Sequence, residues 1–336
     1  MTRTQRIADL GEDGLVSAVI ARYGPSPAHV LVGPGDDAAV LDLAALGTAG
    51  LVVASTDTLV EGYDFRREWS TAREIGIKTA AQNLADIAAM GGRPTALLVS
   101  LAAPGDLAGD WAAELADGLD DECRRAGAAV VGGDVSQAHE IVITGTALGV
   151  LAGRPVRRSG ARPGDVVALA GPTGPSGAGL ALLRAGHGGV QGSVLPDAAL
   201  AALVRAHRAP RPPYPAGPDA AAAGAHAMID TSDGLLRDAA RIASASGVCL
   251  DLDPVALAPG PDLRRAAELL GTPEAAFGWV LSGGEDHALL ACFGPDVSLP
   301  AAFRPIGRVL PVGEDGPKVL VGGRARAGET GWTHFG

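Results

Sequence analysis

Cysteine is scarce in this chain. Its three copies, Cys123, Cys249 and Cys292, lie far apart and form no CxxC pair. That excludes a zinc ribbon or a disulfide framework and suits a reducing compartment, so a cytoplasmic protein is expected. Lysine occurs only at Lys78 and Lys318, the other basic residues being arginine. With 27 basic against 38 acidic residues the net charge is −11, which argues against nucleic acid or an anionic membrane as the main partner. Long apolar runs are missing as well. The N-terminus lacks the apolar centre of a signal peptide. The longest uncharged stretch, Val166 to Leu183, is broken by Gly171, Pro172, Gly174, Pro175, Gly177 and Gly179. It reads as a strand, a loop and a helix start rather than a membrane span. There is no GxSxG elbow, HExxH, kinase catalytic loop or Rossmann fingerprint, and the seven scattered histidines mark none as a base.

What the chain does contain is a series of acidic, glycine-flanked stretches. The first apolar run to reach one is Leu51-Val52-Val53-Ala54, a buried strand by composition, which delivers Ser55, Thr56 and Asp57 where it is expected to leave the sheet. Oxygen-only side chains suit a hard cation such as Mg²⁺, and Mg²⁺ suits phosphates. A strand-terminal Asp is also an ordinary turn or cap residue. Upstream, a helix is expected over Ile7 to Tyr23, then Gly35-Asp36-Asp37 sets two adjacent carboxylates beside an apolar strand. Such neighbours repel one another and need solvent or a cation.

A long helix follows, with Thr71 and Glu74 as a capping box and Gly91-Gly92 as its stop. Thr79, Asn83 and Asp86 share one face of it, among alanines and leucines that imply burial, and a buried Asp needs a partner. Ala128 to Val131 reads as a strand ending in Gly132-Gly133-Asp134, where glycines let a backbone approach a ligand closely. Residues 151 to 164 are rich in Gly, Pro and Arg and mark a domain boundary; Arg157 and Arg158 there suit a solvated linker or a nucleotide phosphate. Beyond it the alternation of strand and helix resumes. The Gly-rich loop before a helix at Ser176 is not a P-loop, though a helix N-terminus can take an anion. Asp230 closes another strand, with Ser232 or Asp233 as the default N-cap of the next helix. Glu285 and Asp286 follow a double glycine. At 336 residues the chain suits two α/β domains, over 1–153 and 154–336.

Taken in order, Gly35-Asp36-Asp37-Ala38, Ser55 to Gly62, Gln82 to Gly91, Gly132-Gly133-Asp134, Arg158-Ser159-Gly160-Ala161, Ile229 to Leu235 and Ser282 to Asp286 resemble thiamine-monophosphate kinase. Single motifs are shared with a wider superfamily that includes aminoimidazole ribonucleotide synthetase. The resemblance implies ATP-dependent transfer of phosphate to thiamine monophosphate, giving thiamine diphosphate. It also implies a two-domain α/β (α+β) aminoimidazole ribonucleotide synthetase-like fold, in which the N-terminal domains of a homodimer pair into a shared β-barrel and the C-terminal domain completes the nucleotide and substrate site. By position, Asp37, Ser55, Thr56, Asp57, Asp86, Asp134, Asp230 and Asp233 would serve several Mg²⁺ ions, with Asp57, Asp86 and Asp134 aligning the transfer. Gly133, Asp134, Arg158 and Ser232 would contact ATP. Glu285 and Trp332 would hold the thiamine end, and Asp64 stands where the family usually has a substrate-contacting His.

Two other readings stay open. Within the superfamily the acceptor could differ, although selenophosphate synthetase needs an early reactive Cys or selenocysteine and no Cys precedes Cys123. Alternatively the chain is a non-catalytic sensor of a nucleotide or thiamine phosphate, against which the intact acidic set argues.

Overall fold

A computed structural model describes residues 18–32, 40–42, 44, 51–190, 192, 194–314, 316–325 and 331. Asp36, Asp37, Trp332 and residues 7–17 of the first expected helix therefore lie outside the described residues; residues 18–20 are helical. The chain divides into two compact units. One comprises Met1–Ile87, Arg93–Gly153 and Gly189–Gln191, the other Ala88–Gly92, Arg154–Gly188 and Gly192–Gly336.

In the first unit β1 (Val30–Val32) and β2 (Val40–Leu41) form a small antiparallel pair. The main elements are β3 (Leu51–Val60), α1 (Ala72–Ala89), β4 (Arg93–Ala103), α2 (Gly109–Ala126), β5 (Ala129–Gln137) and β6 (Val142–Leu151). The strands lie in the order β3-β6-β4-β5, and only the β4–β5 pair is parallel, with α2 as its crossover. α1 starts on the expected capping box: the Thr71 backbone N–H and hydroxyl donate to Glu74 Oε2, and Glu74 N donates back to Thr71 Oγ1. Its Ile75, Ala80, Ala81, Leu84, Ala85 and Ile87 are fully buried, as an all-round apolar helix should be.

Two strand ends differ from expectation. β3 does not leave the sheet at Ser55 but stays paired with β6 as far as Val60 opposite Val142. Hydroxyl side chains hid the alternation: Ser55, Asp57 and Leu59 are more covered, while Thr56 and Thr58 are exposed on the other face. β5 likewise continues through Gly132-Gly133-Asp134 to Gln137. At Gly133 a Cβ would lie 1.8 Å from the Val99 carbonyl oxygen, so the close approach of β5 to β4 itself requires a glycine here.

The second unit is built on a seven-stranded sheet. Its strands are β7 (Val166–Ala170), β8 (Ala227–Asp230), β9 (Cys249–Leu252), β10 (Leu289–Phe293), β11 (Phe303–Leu310), β12 (Lys318–Val321) and β13 (Arg324–Ala325). They lie in the order β13-β12-β9-β11-β7-β10-β8, antiparallel except for β12 beside β9. Helices α3 (Pro175–Arg184), α4 (Ala198–Arg208), α5 (Ala216–Ala222), α6 (Leu235–Ser246), α7 (Pro261–Leu269) and α8 (Ala275–Ser282) complete it. Phe293 and Phe303 meet edge to face, with ring centroids 5.2 Å apart, inside this core.

The N-terminus of α3 takes an anion, but one from the chain itself. The Asp286 carboxylate accepts from the Gly174 N–H at 2.5 Å and the Ser176 N–H at 2.8 Å. Burial pushes this carboxyl up to about 7 against the pull of those two bonds and of His287. The residues on either side, Glu285 and His287, adopt left-handed backbone with φ of 66° and 51°. That conformation costs about 1 kcal/mol or more at a non-glycine residue and persists where surrounding contacts impose it.

Because the folded state holds the Asp286 proton more tightly than the unfolded chain does, its contribution to stability is full at about pH 4 and is lost as pH rises through about 7. Asp286→Asn cannot titrate. The difference in urea midpoint between variant and parent should therefore move in the variant's favour from pH 5 to pH 8, and a constant difference would contradict the assignment.

Candidate active site

In the first unit the site residues sit where one face of α1 grips β3. Ser55 Oγ donates to Asp86 Oδ2 at 2.5 Å, and the Asp57 backbone N–H donates to Asn83 Oδ1 at 3.0 Å. Asp57 and Asp86 are both half-buried, Asp57 on the helix-facing side of β3 and Asp86 on the face of α1 that meets it. Expectation placed Asp86 in need of a cation or an external donor; the Ser55 hydroxyl is the donor found. Thr56 points the other way, its hydroxyl donating to the Gly145 carbonyl at 2.7 Å and lying 3.1 Å from Thr146 Oγ1.

Register separates Asp134 from this pair. Asp134 faces Ser100, which faces Thr144, which faces Thr58, all in the row next to that of Asp57 and hence on the opposite side of the sheet. Asp134 is exposed and accepts from its own strand neighbour Ser136 at 3.0 Å. Asp64 is also committed locally: its carboxylate accepts from Val60 N at 2.8 Å, and the buried Lys78 donates to its backbone carbonyl at 2.9 Å. The neighbouring Tyr63 is 80% exposed.

In the second unit two segments are zipped together. Thr231 N donates to Ala288 O, and His287 N and Glu285 N donate to Thr231 O and Ser232 O. The buried Asp230 consequently lies 3.1 Å from His287 Nδ1, with Ser232 and Glu285 alongside. Asp233 is neither an N-cap nor an isolated acid, since it pairs with Arg241 and Arg237. The cap position of α6 belongs to Gly234, and the N–H groups of Asp233 and Gly234 are met instead by Asp238 from the helix's own first turn, each at 3.1 Å. Burial and the nearby charge of Asp230 raise Asp238 to about 7, while Arg241 pulls it down.

Three contributors had no sequence signal of their own. His207 Nδ1 lies 3.1 Å from both Glu285 Oε2 and Ser176 Oγ. Since one nitrogen serves both partners, this is not a nucleophile–base relay. Ser246 accepts from the Gly160 and Ala161 N–H groups and donates to the Arg158 carbonyl, so the Arg-Ser-Gly-Ala stretch is a fixed loop with an exposed Arg158. Asp238 is the third.

Among the described residues no three His, Cys, Asp or Glu side chains are gathered closely enough to hold a metal ion by themselves. The donors at Ser55, Asp57 and Asp86 are all oxygens, however, and Mg²⁺ typically takes one or two carboxylates and fills its shell with water and substrate phosphates. That donor chemistry fits the ion.

Residues 35–151 match the AIR synthase related protein, N-terminal domain. Over its full length the chain is 47% identical to thiamine-monophosphate kinase of Mycobacterium tuberculosis, covering 95% of that protein. Among solved structures, thiamine-monophosphate kinase from Stenotrophomonas maltophilia K279a superposes with a TM-score of 0.79 at 31% identity, over 93% of this chain and 96% of that one. AaThiL complexed with AMPPCP and TMP superposes with a TM-score of 0.74 at 28% identity, over 99% of this chain and all of the other. Full-length identity of this order shows that the chain belongs to the thiamine-monophosphate kinase family.

Proposed function

We propose that this protein transfers the γ-phosphate of ATP to thiamine monophosphate, forming thiamine diphosphate, by direct in-line displacement. The observation that carries the reading is the full-length similarity to enzymes of that name, supported by a relative crystallised with a nucleotide analogue and TMP. The acceptor, a phosphate monoester, is already anionic near neutral pH, so no general base is needed. Asp57 and Asp86 would hold Mg²⁺, with Ser55 fixing the Asp86 carboxylate. The bound ion would screen the repulsion between the anionic acceptor and the γ-phosphate.

The remaining roles divide between the units. Arg158, on the loop fixed by Ser246, would meet a nucleotide phosphate, and Ser232, in the zipped segments of the same unit, would contact the nucleotide as well. Glu285, held by His207 and presented by the left-handed backbone before Asp286, would face the cationic thiamine end. Asp230 would act as a further metal ligand oriented by His287. Asp134 and Gly133, on an exposed stretch of β5, would meet the nucleotide separately from the Asp57–Asp86 pair. The assembly would be a homodimer formed by the face of the first unit's sheet opposite the helices, where Val52 and Leu98 are exposed beside the paired Thr58–Thr144 and Thr56–Thr146 hydroxyls.

The test is ADP release from ATP and Mg²⁺ with thiamine monophosphate, thiamine or no acceptor, with chromatography of the products. ADP and thiamine diphosphate should appear together only with the monophosphate, and no phosphorylated Asp or His should accumulate with ATP alone. Asp57→Asn and Asp86→Asn should each lower kcat/KM by about a hundredfold or more. Glu285→Gln should raise KM for thiamine monophosphate while leaving that for ATP unchanged; equal effects on both would remove Glu285 from the acceptor site. For the assembly, Leu98→Arg should yield monomers in analytical ultracentrifugation, and an unchanged sedimentation coefficient would place the interface elsewhere.

A further inference from the structure

Asn83 is completely buried, one turn before Asp86 on α1, and its amide is fixed at both ends. Oδ1 accepts from the Asp57 N–H at 3.0 Å, while Nδ2 donates to the Thr79 carbonyl of the preceding turn at 2.9 Å. A flipped amide would set NH₂ against N–H and oxygen against oxygen, so only one orientation is tolerated. Room for it comes from across the sheet. Asp57 is opposite Gly145, and a Cβ at Gly145 would lie 2.4 Å from Asn83 Nδ2 and 2.7 Å from its Cγ.

The strand does not need this amide for its own pairing. Glu61 N donates to Ile141 O at 2.9 Å, and residues an even number apart along a strand direct their N–H groups to the same side. The Asp57 N–H therefore already points towards β6 and the Gly145 carbonyl. Asn83 is an additional acceptor, brought in at the cost of desolvating an amide and of an obligatory glycine in the neighbouring strand. What it adds is position. Together with Ser55 to Asp86, it ties α1 to β3 at two points, at strand residues 55 and 57 and helix residues 86 and 83. Those ties set the Asp57 backbone relative to the Asp86 carboxylate.

We propose that Asn83, seated against Gly145, is the positioning residue of Asp57, holding its carboxylate at the separation from Asp86 at which the two share one divalent cation. This rests on the reading that Asp57 and Asp86 are ligands to Mg²⁺. The expected consequences are those of an orienting partner behind a ligand, whose loss typically weakens metal affinity by about ten- to a hundredfold.

The test uses the full-length protein with Mn²⁺ as probe, its free-ion electron paramagnetic resonance signal giving the dissociation constant without turnover. Asn83→Ala should weaken Mn²⁺ binding by about tenfold. Its ADP release should need correspondingly more Mg²⁺ and return close to the parent rate at saturating Mg²⁺, a recovery that a purely structural defect would not show. Gly145→Ala, which keeps the amide but displaces it, should give the same phenotype. The double variant should be no worse than the weaker single, because both delete one contact. Circular dichroism melts in EDTA show which variants are folded, and Asn83→Ser replaces Asn83→Ala if the latter is not. Folded variants with parental Mn²⁺ affinity and Mg²⁺ dependence would overturn the proposal, provided that Asp57→Asn does weaken Mn²⁺. If Asp57→Asn binds Mn²⁺ as the parent does, the ligand reading falls, and the proposal with it.

Discussion

The placement of Asp57 and Asp86 in the first unit depends on a helix buried on nearly every side, from which a few polar groups reach out to one strand. Burying α1 so completely is possible because its residues are mostly alanine, leucine and isoleucine. The consequence is that any polar group left on it must be answered nearby. Thr79 answers its own helix by donating to the Ile75 carbonyl, Asn83 and Asp86 are answered by β3, and Lys78 by the turn after β3. Both carboxylates are thus carried on regular secondary structure whose relative position is set by hydrogen bonds of fixed direction.

The second unit reaches a comparable result by a different route. There the polar residues come from the end of β8 and from loops zipped backbone to backbone, Thr231–Ser232 against Glu285–Ala288, and the left-handed residues flanking Asp286 are held by that zip and by the N-terminus of α3. The bonds from the Gly174 and Ser176 N–H groups to the Asp286 carboxyl tie the segment that carries it to the start of α3. Glu285 is in this sense presented by its neighbour.

Features encoded within a few residues were legible in the sequence. The capping box at Thr71 and Glu74, the helix stop near Gly91 and the shared face of Asn83 and Asp86 all follow from short-range patterns, and the structure has them. Strand ends were harder. Ser55, Thr56 and Asp57 look like a strand breaking up, because the period-2 signal is carried by polar side chains on both faces. Only the pairing with β6 shows the strand continuing. Gly133 illustrates the same limit, since a glycine needed for strand approach and one needed for ligand approach read alike. Contacts that span the chain were not legible at all: Asp286 at the α3 N-terminus and His207 at Glu285 join residues whose local contexts carry no hint of each other. Asp37 and Trp332, both prominent in the motif match, lie outside the described residues.

The order of strands in the larger sheet has a consequence for how the protein is made. β7 is wholly apolar and nearly all buried, and its two neighbours are β10 and β11. Both are encoded near the C-terminal end of the chain, as is the Asp286 that finishes α3. On the ribosome, Val166–Ala170 therefore emerges long before anything that can pair with it, while the first unit's strands and helices are complete by Leu151. Synthesis runs from the N-terminus at about 5–20 residues per second, so this sticky segment stays uncovered for many seconds. Until β10 and β11 have been made, both of its pairing edges are without their native partners.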